Sequence, residues 1–429
     1  MKLLQHKTLQ NSGWVIGGKL GQMLISLVVN LLTARYLGPA NYGLINYSLS
    51  YTAFFTSFCT LGINSLLVKE LVDRPDEEGE VLGTAIVLQG ISSILSAVTI
   101  VVLVCVIDGD EPMTILIVAL CSISLLFTAF DTFRYWFQRY LKAKYIAISV
   151  FVAYLATAAY RIFLIIGGRH IMWFALVSAM DHLCVAAMLM LFYKKNAGPK
   201  LSFSWSYGKT LLSRSKHFIL SGLMVAIYGQ TDKMMLKQML DVTQTGIYTT
   251  ATTINNLWCF VLAAIIDSLI PSVMEAHKSG DDAVFRQKNR QLYAIVFFIS
   301  MGMAVLFNIF AELAIWVLYG KAYLPAAMPL RIVSWYTAFS YLGVARDSWI
   351  ICKNLQKHLF KIYVIAAVGN VLLNFLLIPI WGASGAALAS LISQVLTGFV
   401  LPFFVRDLRE NVKLMLEGIM LKDINKRKE

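Results

Sequence analysis

The stretch NVLLNFLLIPIWGASGAALASLISQ, from Asn370 to Gln394, shows which solvent this chain folds in. It carries no charged residue, yet a proline, two glycines and several small residues interrupt it near the centre. A segment that crosses the hydrocarbon of a bilayer needs about 20 mostly apolar residues. Pro379 and Gly382 are residue types that end a helix and permit a sharp turn. We therefore expect two membrane helices that meet at this turn.

Small residues continue beyond the turn at helical spacing. Gly382, Ala386 and Ser390 recur every four residues and so share one face of a helix. Lipid supplies little hydrophobic drive between helices, and close backbone approach through small side chains takes its place. This face is therefore interpreted as a helix-packing surface.

The composition of the whole chain supports a membrane protein. Of its 429 residues 58% are hydrophobic and only 14% are charged, and the mean hydropathy is +0.68. A soluble domain carries about 25% charged residues. The prediction is an all-α integral membrane protein with twelve transmembrane helices in two six-helix lobes around a central cavity. The expected spans are about 12–34, 41–66, 82–106, 112–134, 145–166, 171–192, 211–236, 246–274, 291–318, 327–350, 359–380 and 383–405.

The two lobes follow from a central basic connection and a weak internal repeat. The longest connection, roughly Tyr193 to Lys216, leaves six spans on each side, and a KTL run occurs at both Lys7 and Lys209. Repeats of this kind usually form two lobes around a pathway. We predict an N-terminal lobe at 1–200, a C-terminal lobe at 201–405 and a basic amphipathic cytoplasmic tail at 406–429.

The net charge of +13 is distributed by connection. Every other connection is basic, whereas the opposite ones are short and bare or acidic, as in DGDEP at Asp108–Pro112. This is the positive-inside pattern, and it predicts that both termini are cytoplasmic. The basic surplus is thereby explained by orientation, and we expect no nucleic-acid partner.

Polar residues form stripes in the first two spans of each predicted lobe. Lys19, Gln22, Ser26 and Asn30 share one face of span one, and Asn256 follows Thr249 and Thr253 on span eight. Such stripes favour a polar pathway lined by spans one, two, seven and eight. The alternative for any single hydroxyl is a bond to its own backbone or a seal between helices.

Four basic residues within spans are candidates for an anionic ligand: Lys19, Arg35, Lys233 and Arg331. Arginine offers a fork suited to phosphate oxygens, and lysine acts as a point charge. Lys19 lies deep enough to be the first candidate. The alternatives are extension of Lys19 to the inner interface and anchoring of the other three at the outer one. Arg161 belongs to the same class.

Acidic residues and one histidine are candidates for ion coupling: Asp181, His182, Asp232 and Asp267. Asp181 and His182, near the middle of span six, form either a proton site or a pair that fixes packing. No nucleotide-binding GxxxxGK[ST] motif occurs in the sequence. We expect no catalytic residue, no cofactor and no metal site.

Several segments resemble polysaccharide flippases of the O-antigen (Wzx) type, in the MOP exporter superfamily. ARYLGPANYGLINYSLSY (Ala34–Tyr51) is similar to the first turn of that family, and TDKMMLKQML (Thr231–Leu240) to its acidic element near the end of span seven. NLQKHLFKIYVIAAVGN (Asn354–Asn370) resembles the basic entry into span eleven, and the stretch quoted first resembles the family signature. The similarity extends over essentially the whole chain.

The resemblance implies a transporter, not an enzyme. It would move undecaprenyl-pyrophosphate-linked oligosaccharide units from the cytoplasmic to the periplasmic leaflet of the inner membrane by alternating access, for O-antigen or capsule assembly. The implied partners are this lipid-linked sugar and the bilayer, with a polysaccharide polymerase as a further candidate.

Two rival functions are distinguished by sequence features. A multidrug/cation antiporter of the same superfamily would need an acidic cavity, whereas most candidates here are basic. A polymerase or ligase of surface polysaccharide would need a sizeable outer loop, and the outer connections here are short.

Overall fold

The computed structural model describes the backbone of residues 2–422, and the side chains of residues 25–422 other than 220, 221, 225, 228, 357 and 360. This part of the chain contains helices, turns and bends but no strand. The predicted all-α class is therefore confirmed.

Contacts divide the chain into two units, Met1–Met234 and Met235–Glu429. The helices of the first unit are α1 (Lys2–Cys59), α2 (Asn64–Asp73), α3 (Glu78–Ile107), α4 (Pro112–Ser122), α5 (Leu125–Thr128), α6 (Thr132–Arg139), α7 (Ala143–Ile166) and α8 (Ile171–Lys195). The next helix, α9 (Trp205–Met239), contains the division. Those of the second unit are α10 (Val242–Lys278), α11 (Asp282–Tyr319), α12 (Ala327–Cys352), α13 (Lys357–Val395), α14 (Leu401–Phe404) and α15 (Arg409–Ile419).

The long helices correspond to the predicted spans. Within the described residues, eight helical stretches are long and apolar enough to cross a bilayer, and two of these contain a break, at Gly38 and at Gly382. Each broken stretch supplies two of the predicted spans. The helices α9 and α12, which are not among the eight, lie at the positions of predicted spans seven and ten. The chain is a multi-pass membrane protein.

The break inside α1 lies at Gly38, whose φ and ψ are 70° and 170°. Pro39 follows it, and a proline disfavours helical backbone in the residue before it. Glycine adopts a positive φ without steric cost. Two residues thus turn span one into span two, within the LGPANYG segment.

The break inside α13 lies in the stretch quoted first, at Gly382, with φ and ψ of 55° and −132°. The side-chain oxygen Oε1 of Gln244, on α10, accepts a hydrogen bond of 3.0 Å from the backbone N–H of Ala383. This bond satisfies an amide that the break leaves without a helical acceptor. Ala386 and Ser390 beyond the turn are buried, as their small-residue spacing predicts. The predicted turn between two membrane helices is confirmed.

We expect Gly382→Ala to destabilise the protein by about 1–3 kcal/mol, because alanine is strained at this backbone conformation. A Cβ at this position would also lie 2.7 Å from Oε1 of Gln244. The matched control is Gly369→Ala in the same helix, where no heavy atom lies within 4 Å of the new carbon. Thermal unfolding in detergent should show a lower midpoint for Gly382→Ala alone. Equal midpoints for both variants would contradict this account of the turn.

The basic connection between α8 and α9 is bound to the first unit. The N–H of Ser202 donates to the carbonyl of Gly79 over 3.1 Å, and the N–H of Ser204 donates to Oγ1 of Thr84 over 3.0 Å. A Cβ added at Gly79 or at Gly83 would overlap the backbone of this connection. The two glycines therefore allow the close approach, and residues 201–234 group with the first unit.

A buried carboxylate on α2 binds the start of α9. Glu70, at the end of α2, accepts from Nη1 of Arg214 at 2.7 Å and from the hydroxyl of Tyr207 at 3.0 Å. Burial, reinforced by the neighbouring Glu70, raises the pKa of Tyr207 well above its usual value. Its hydroxyl therefore remains a donor at neutral pH. The basic connection is therefore held on the first unit by these bonds.

Helix α15 lies within the C-terminal tail and packs against the start of α11. Asn411 is fully buried and donates from Nδ2 to the hydroxyl of Tyr293 over 2.7 Å. Arg290 and Glu417 form an ion pair of 2.9 Å beside it. The apolar residues Val412, Leu414 and Met415 of α15 are buried within the second unit.

Candidate functional site

A polar cluster lies inside the first unit where α1, α7 and α8 pack together. Arg161, a half-buried residue of α7, donates from Nη1 to Oδ1 of Asn30 on α1. Asn30 in turn donates from Nδ2 to Oγ of Ser26 over 3.0 Å. The chain Arg161–Asn30–Ser26 joins the predicted polar stripe of span one to a cation on span five.

The local sequence explains this arrangement. Arg161 is the one charged residue between Tyr145 and Ile166, so its helix is otherwise apolar. A charge inside a membrane costs a few kcal/mol or more unless it is paired or hydrated, so it turns toward the interior of the helix bundle. Asn30 and Ser26 are four residues apart and present their polar atoms on one face of α1.

Asp181 and His182 lie on α8, beside this cluster. Asp181 interacts electrostatically with Arg161, and its Oδ1 is buried without a hydrogen-bond partner among the described residues. The ring of His182 is held by its Nδ1 at 2.9 Å from the carbonyl oxygen of Ser178. The cluster therefore combines a cation, an amide, a hydroxyl and a carboxylate with free hydrogen-bonding capacity.

The other predicted residues of the first unit lie on α1 and α9. The side chains of Lys19 and Gln22 lie outside the described residues. Arg35 is exposed close to the break at Gly38. On α9, Asp232 is buried and its neighbour Lys233 is half-buried.

In the second unit, the predicted stripe on α10 divides between the interior and the surface. Asn256 is exposed, whereas the adjacent Asn255 is fully buried and donates from Nδ2 to Oγ1 of Thr337 over 2.6 Å. Asp267 is exposed. Arg331 is bound to α11. Its Nη2 lies 3.0 Å from Oε1 of Glu312, and its Nε donates to the carbonyl of Asn308 over 3.2 Å.

Two buried hydrogen-bonded contacts were not predicted from the sequence. The hydroxyl of Tyr47 donates to Oδ2 of Asp108 over 2.7 Å and lies 2.8 Å from the hydroxyl of Tyr51. The second is the hydrogen bond between Asn255 and Thr337. The signal for the first was present in the DGDEP segment, where an aspartate directly follows an apolar span. Which tyrosine it would meet depended on packing.

The described residues hold no group of three or more histidine, cysteine, aspartate or glutamate side chains that could bind a metal ion. The cluster around Arg161 is instead suited to an anion or a polar sugar. Its guanidinium presents a planar fork of donors, and the amide and hydroxyl beside it add neutral hydrogen-bonding groups.

A family model described as "polysaccharide biosynthesis protein" matches residues 8–277. The chain belongs to this family. A curated relative, the capsular polysaccharide biosynthesis protein CapF of Staphylococcus aureus, is 23% identical over 395 residues, which cover 90% of this chain and 96% of CapF.

Solved structures with the same fold come from two kinds of transporter. The lipid II flippase MurJ in an inward closed conformation has a TM-score of 0.68 at 15% identity, over 96% of this chain and 91% of MurJ. An inward-facing multidrug resistance MATE family transporter of the MOP superfamily has a TM-score of 0.67 at 13% identity, over 92% of this chain and 96% of that one. This family member therefore has the fold of MOP superfamily transporters, and the resemblance noted from the sequence is confirmed.

Proposed function

We propose that this protein is a flippase for undecaprenyl-pyrophosphate-linked oligosaccharides. It would carry each unit from the cytoplasmic to the periplasmic leaflet of the inner membrane, for assembly of a surface polysaccharide. The observation that carries the proposal is the arginine-centred cluster inside the first unit of a polysaccharide biosynthesis family member. A pyrophosphate linked to sugar offers the charged oxygens and hydroxyl groups that such a cluster binds.

The chemistry of the task explains the need for such a cluster. A flippase makes and breaks no covalent bond, but it must shelter a charged headgroup from hydrocarbon while the lipid tail stays in the bilayer. Arg161 replaces part of the hydration of the phosphate, and Asn30 and Ser26 bond to sugar or phosphate oxygens. The protein would expose this headgroup to each side in turn, by alternating access.

The remaining predicted residues enter as proposed contacts along the path. Lys19, Gln22, Arg35, Lys233 and Asn256 would bind the headgroup, and Arg331 would do so only by exchanging its bond to Glu312. Asp181 with His182, Asp232 and Asp267 are the proposed ion-coupling groups. Both termini would be cytoplasmic, because they lie on the same side as the basic connections. A polysaccharide polymerase is a proposed partner that would consume the delivered units.

The names of similar proteins support the substrate class. MurJ is described as a lipid II flippase and CapF as a capsular polysaccharide biosynthesis protein. The fold itself does not separate a sugar flippase from a drug antiporter, since MATE transporters share it with nearly the same TM-score. The family and the guanidinium of Arg161 at the centre of the cluster favour the flippase, because cationic drugs require an acidic site without such a cation.

The test is a translocation assay with purified protein in sealed vesicles that contain an undecaprenyl-pyrophosphate oligosaccharide. A glycosidase added outside should reach the inner-leaflet sugar faster when the protein is present. A fluorescent phosphatidylcholine in the same vesicles controls for leakage and general lipid scrambling.

The rival function is examined in the same vesicles with a fluorescent cationic drug and an imposed proton or sodium gradient. Gradient-driven drug movement without any movement of several lipid-linked sugars would overturn the flippase and establish the antiporter. Sugar translocation without drug movement is the expected result.

A further inference from the structure

A groove of about 500 Å³ lies in the second unit, at the ends of α10 and α11 nearest the C-terminal tail. Leu269 and Ser272 of α10 form one wall, and a face of α11 forms the other. Leu421, just beyond α15, lines its edge. The volume falls within the roughly 300–1,000 Å³ typical of sites for small ligands.

The α11 wall changes from polar to apolar along the helix. Lys288 lies at its start, and Ile295, Phe298 and Ile299 follow on the same face. The predicted span begins near residue 291, so Lys288 would lie at the membrane interface and the three apolar residues within the hydrocarbon. A ligand that fits this gradient has a polar head and an apolar chain.

The charges around the groove indicate the sign of that head. Three basic residues occur at the start of α11, and two of them are bound to the tail. Arg286 pairs with Glu410 at 2.5 Å, and Arg290 pairs with Glu417 at 2.9 Å. Lys288, the third, is half-buried on the groove and has no hydrogen bond or ion pair among the described residues. A half-buried cation without a partner favours an anionic occupant.

We propose that this groove binds one anionic phospholipid from the leaflet that faces the tail. Its phosphate contacts Lys288, and an acyl chain packs against Leu269, Ile295 and Phe298. Basic pockets between membrane helices at the cytoplasmic side are sites of this kind. The bound lipid would join α10, α11 and the end of the tail, and so stabilise the second unit. This site is separate from the proposed flippase cluster.

Two other occupants are less well matched to the groove. Residues 423–429, which follow the edge residue Leu421, contain three basic and two acidic side chains and a single isoleucine. A segment with one isoleucine has little apolar surface to bury against the groove wall of Leu269, Ile295 and Phe298. A lipid carrier of the polyprenyl phosphate type shares the head-and-chain chemistry, and the experiment separates it from a phospholipid.

The experiment counts lipids that stay bound to the detergent-purified full-length protein in native mass spectrometry, with phosphatidylglycerol or phosphatidylcholine added. We expect the wild-type protein to retain phosphatidylglycerol in preference to phosphatidylcholine. Lys288→Ala should weaken phosphatidylglycerol binding about tenfold or more, as expected for the loss of a charged contact. Lys278→Ala is the matched control, because Lys278 is exposed and does not line the groove. Its affinity should be unchanged.

A substitution and a truncation test the proposal further. Ser272→Trp, which fills the groove and leaves Lys288 in place, should also abolish the preferential binding. Removal of residues 423–429 should leave it unchanged. Four results would each overturn the proposal. Two of them are equal retention of the two lipids and equal effects of Lys288→Ala and Lys278→Ala. The others are binding that appears only after the truncation, and displacement of phosphatidylglycerol by equimolar undecaprenyl phosphate.

Discussion

Arg161→Ala is expected to lower the initial rate of sugar translocation roughly 10- to 100-fold, because a hydrogen bond to a charged group contributes about 1.5–3 kcal/mol. The change removes the guanidinium that donates to Asn30 and leaves the carboxylate of Asp181 without its cation. The measurement is the glycosidase-accessible fraction against time, at equal protein content of the vesicles.

Two further variants show whether the charge or only the packing of Arg161 matters. Arg161→Lys keeps the charge but loses the planar fork, and we expect an intermediate rate. Arg169→Ala is the matched control, since Arg169 is an exposed arginine eight positions further along the chain. Its rate should equal that of the wild-type protein.

The thermal midpoint of each variant separates transport from folding. A slow Arg161→Ala variant that unfolds at the wild-type temperature supports direct contact with the headgroup. A wild-type rate in that variant would remove Arg161 from the binding site.

Glu78→Ala is expected to destabilise the protein by about 3–5 kcal/mol, the range for a buried ion pair that loses one partner. Glu78, at the start of α3, is 5% exposed and pairs with Arg139. It also accepts from Nε1 of Trp136 at 2.8 Å and from the hydroxyl of Tyr140 at 2.7 Å. Its removal takes this acceptor away from Arg139, Trp136 and Tyr140, of which Trp136 is buried.

Glu80→Ala is the matched control, two positions away, because Glu80 forms no ion pair or side-chain hydrogen bond among the described residues. Thermal unfolding in detergent should show a large loss for Glu78→Ala and little change for Glu80→Ala. The double variant Glu78→Met with Arg139→Met should recover much of the loss, since apolar residues of similar size often replace a buried pair without cost. A double variant as unstable as Glu78→Ala would show that the pair itself is not the cause.

The topology followed from local sequence features. Apolar runs of sufficient length predicted the spans, and Pro39 after Gly38 and Pro379 before Gly382 marked the tight turns. These signals act within a few residues, because backbone conformation at glycine and proline depends on local sterics. The family resemblance was also readable, since its motifs lie in these turns and in the segments beside them.

Polar residues inside the spans were predicted by type but not by partner. The stripe on span one contained Asn30, yet its bond to Arg161 joins positions 131 residues apart. On α10, periodicity could not tell exposed Asn256 from buried Asn255, because neighbouring residues differ by only about 100° around a helix. The rotation of each helix is set by its packing against other helices.

The sequence by itself determined an all-α membrane protein, the positions of its turns and its family, because each depends on local composition and short motifs. The tertiary structure alone decided which polar groups meet. It placed the basic connection on the first unit through Gly79, Gly83 and Glu70, and it paired the tail glutamates with Arg286 and Arg290, so that Lys288 is left facing a groove. Such pairings depend on the relative rotation and depth of whole helices, and no short segment of the chain encodes them.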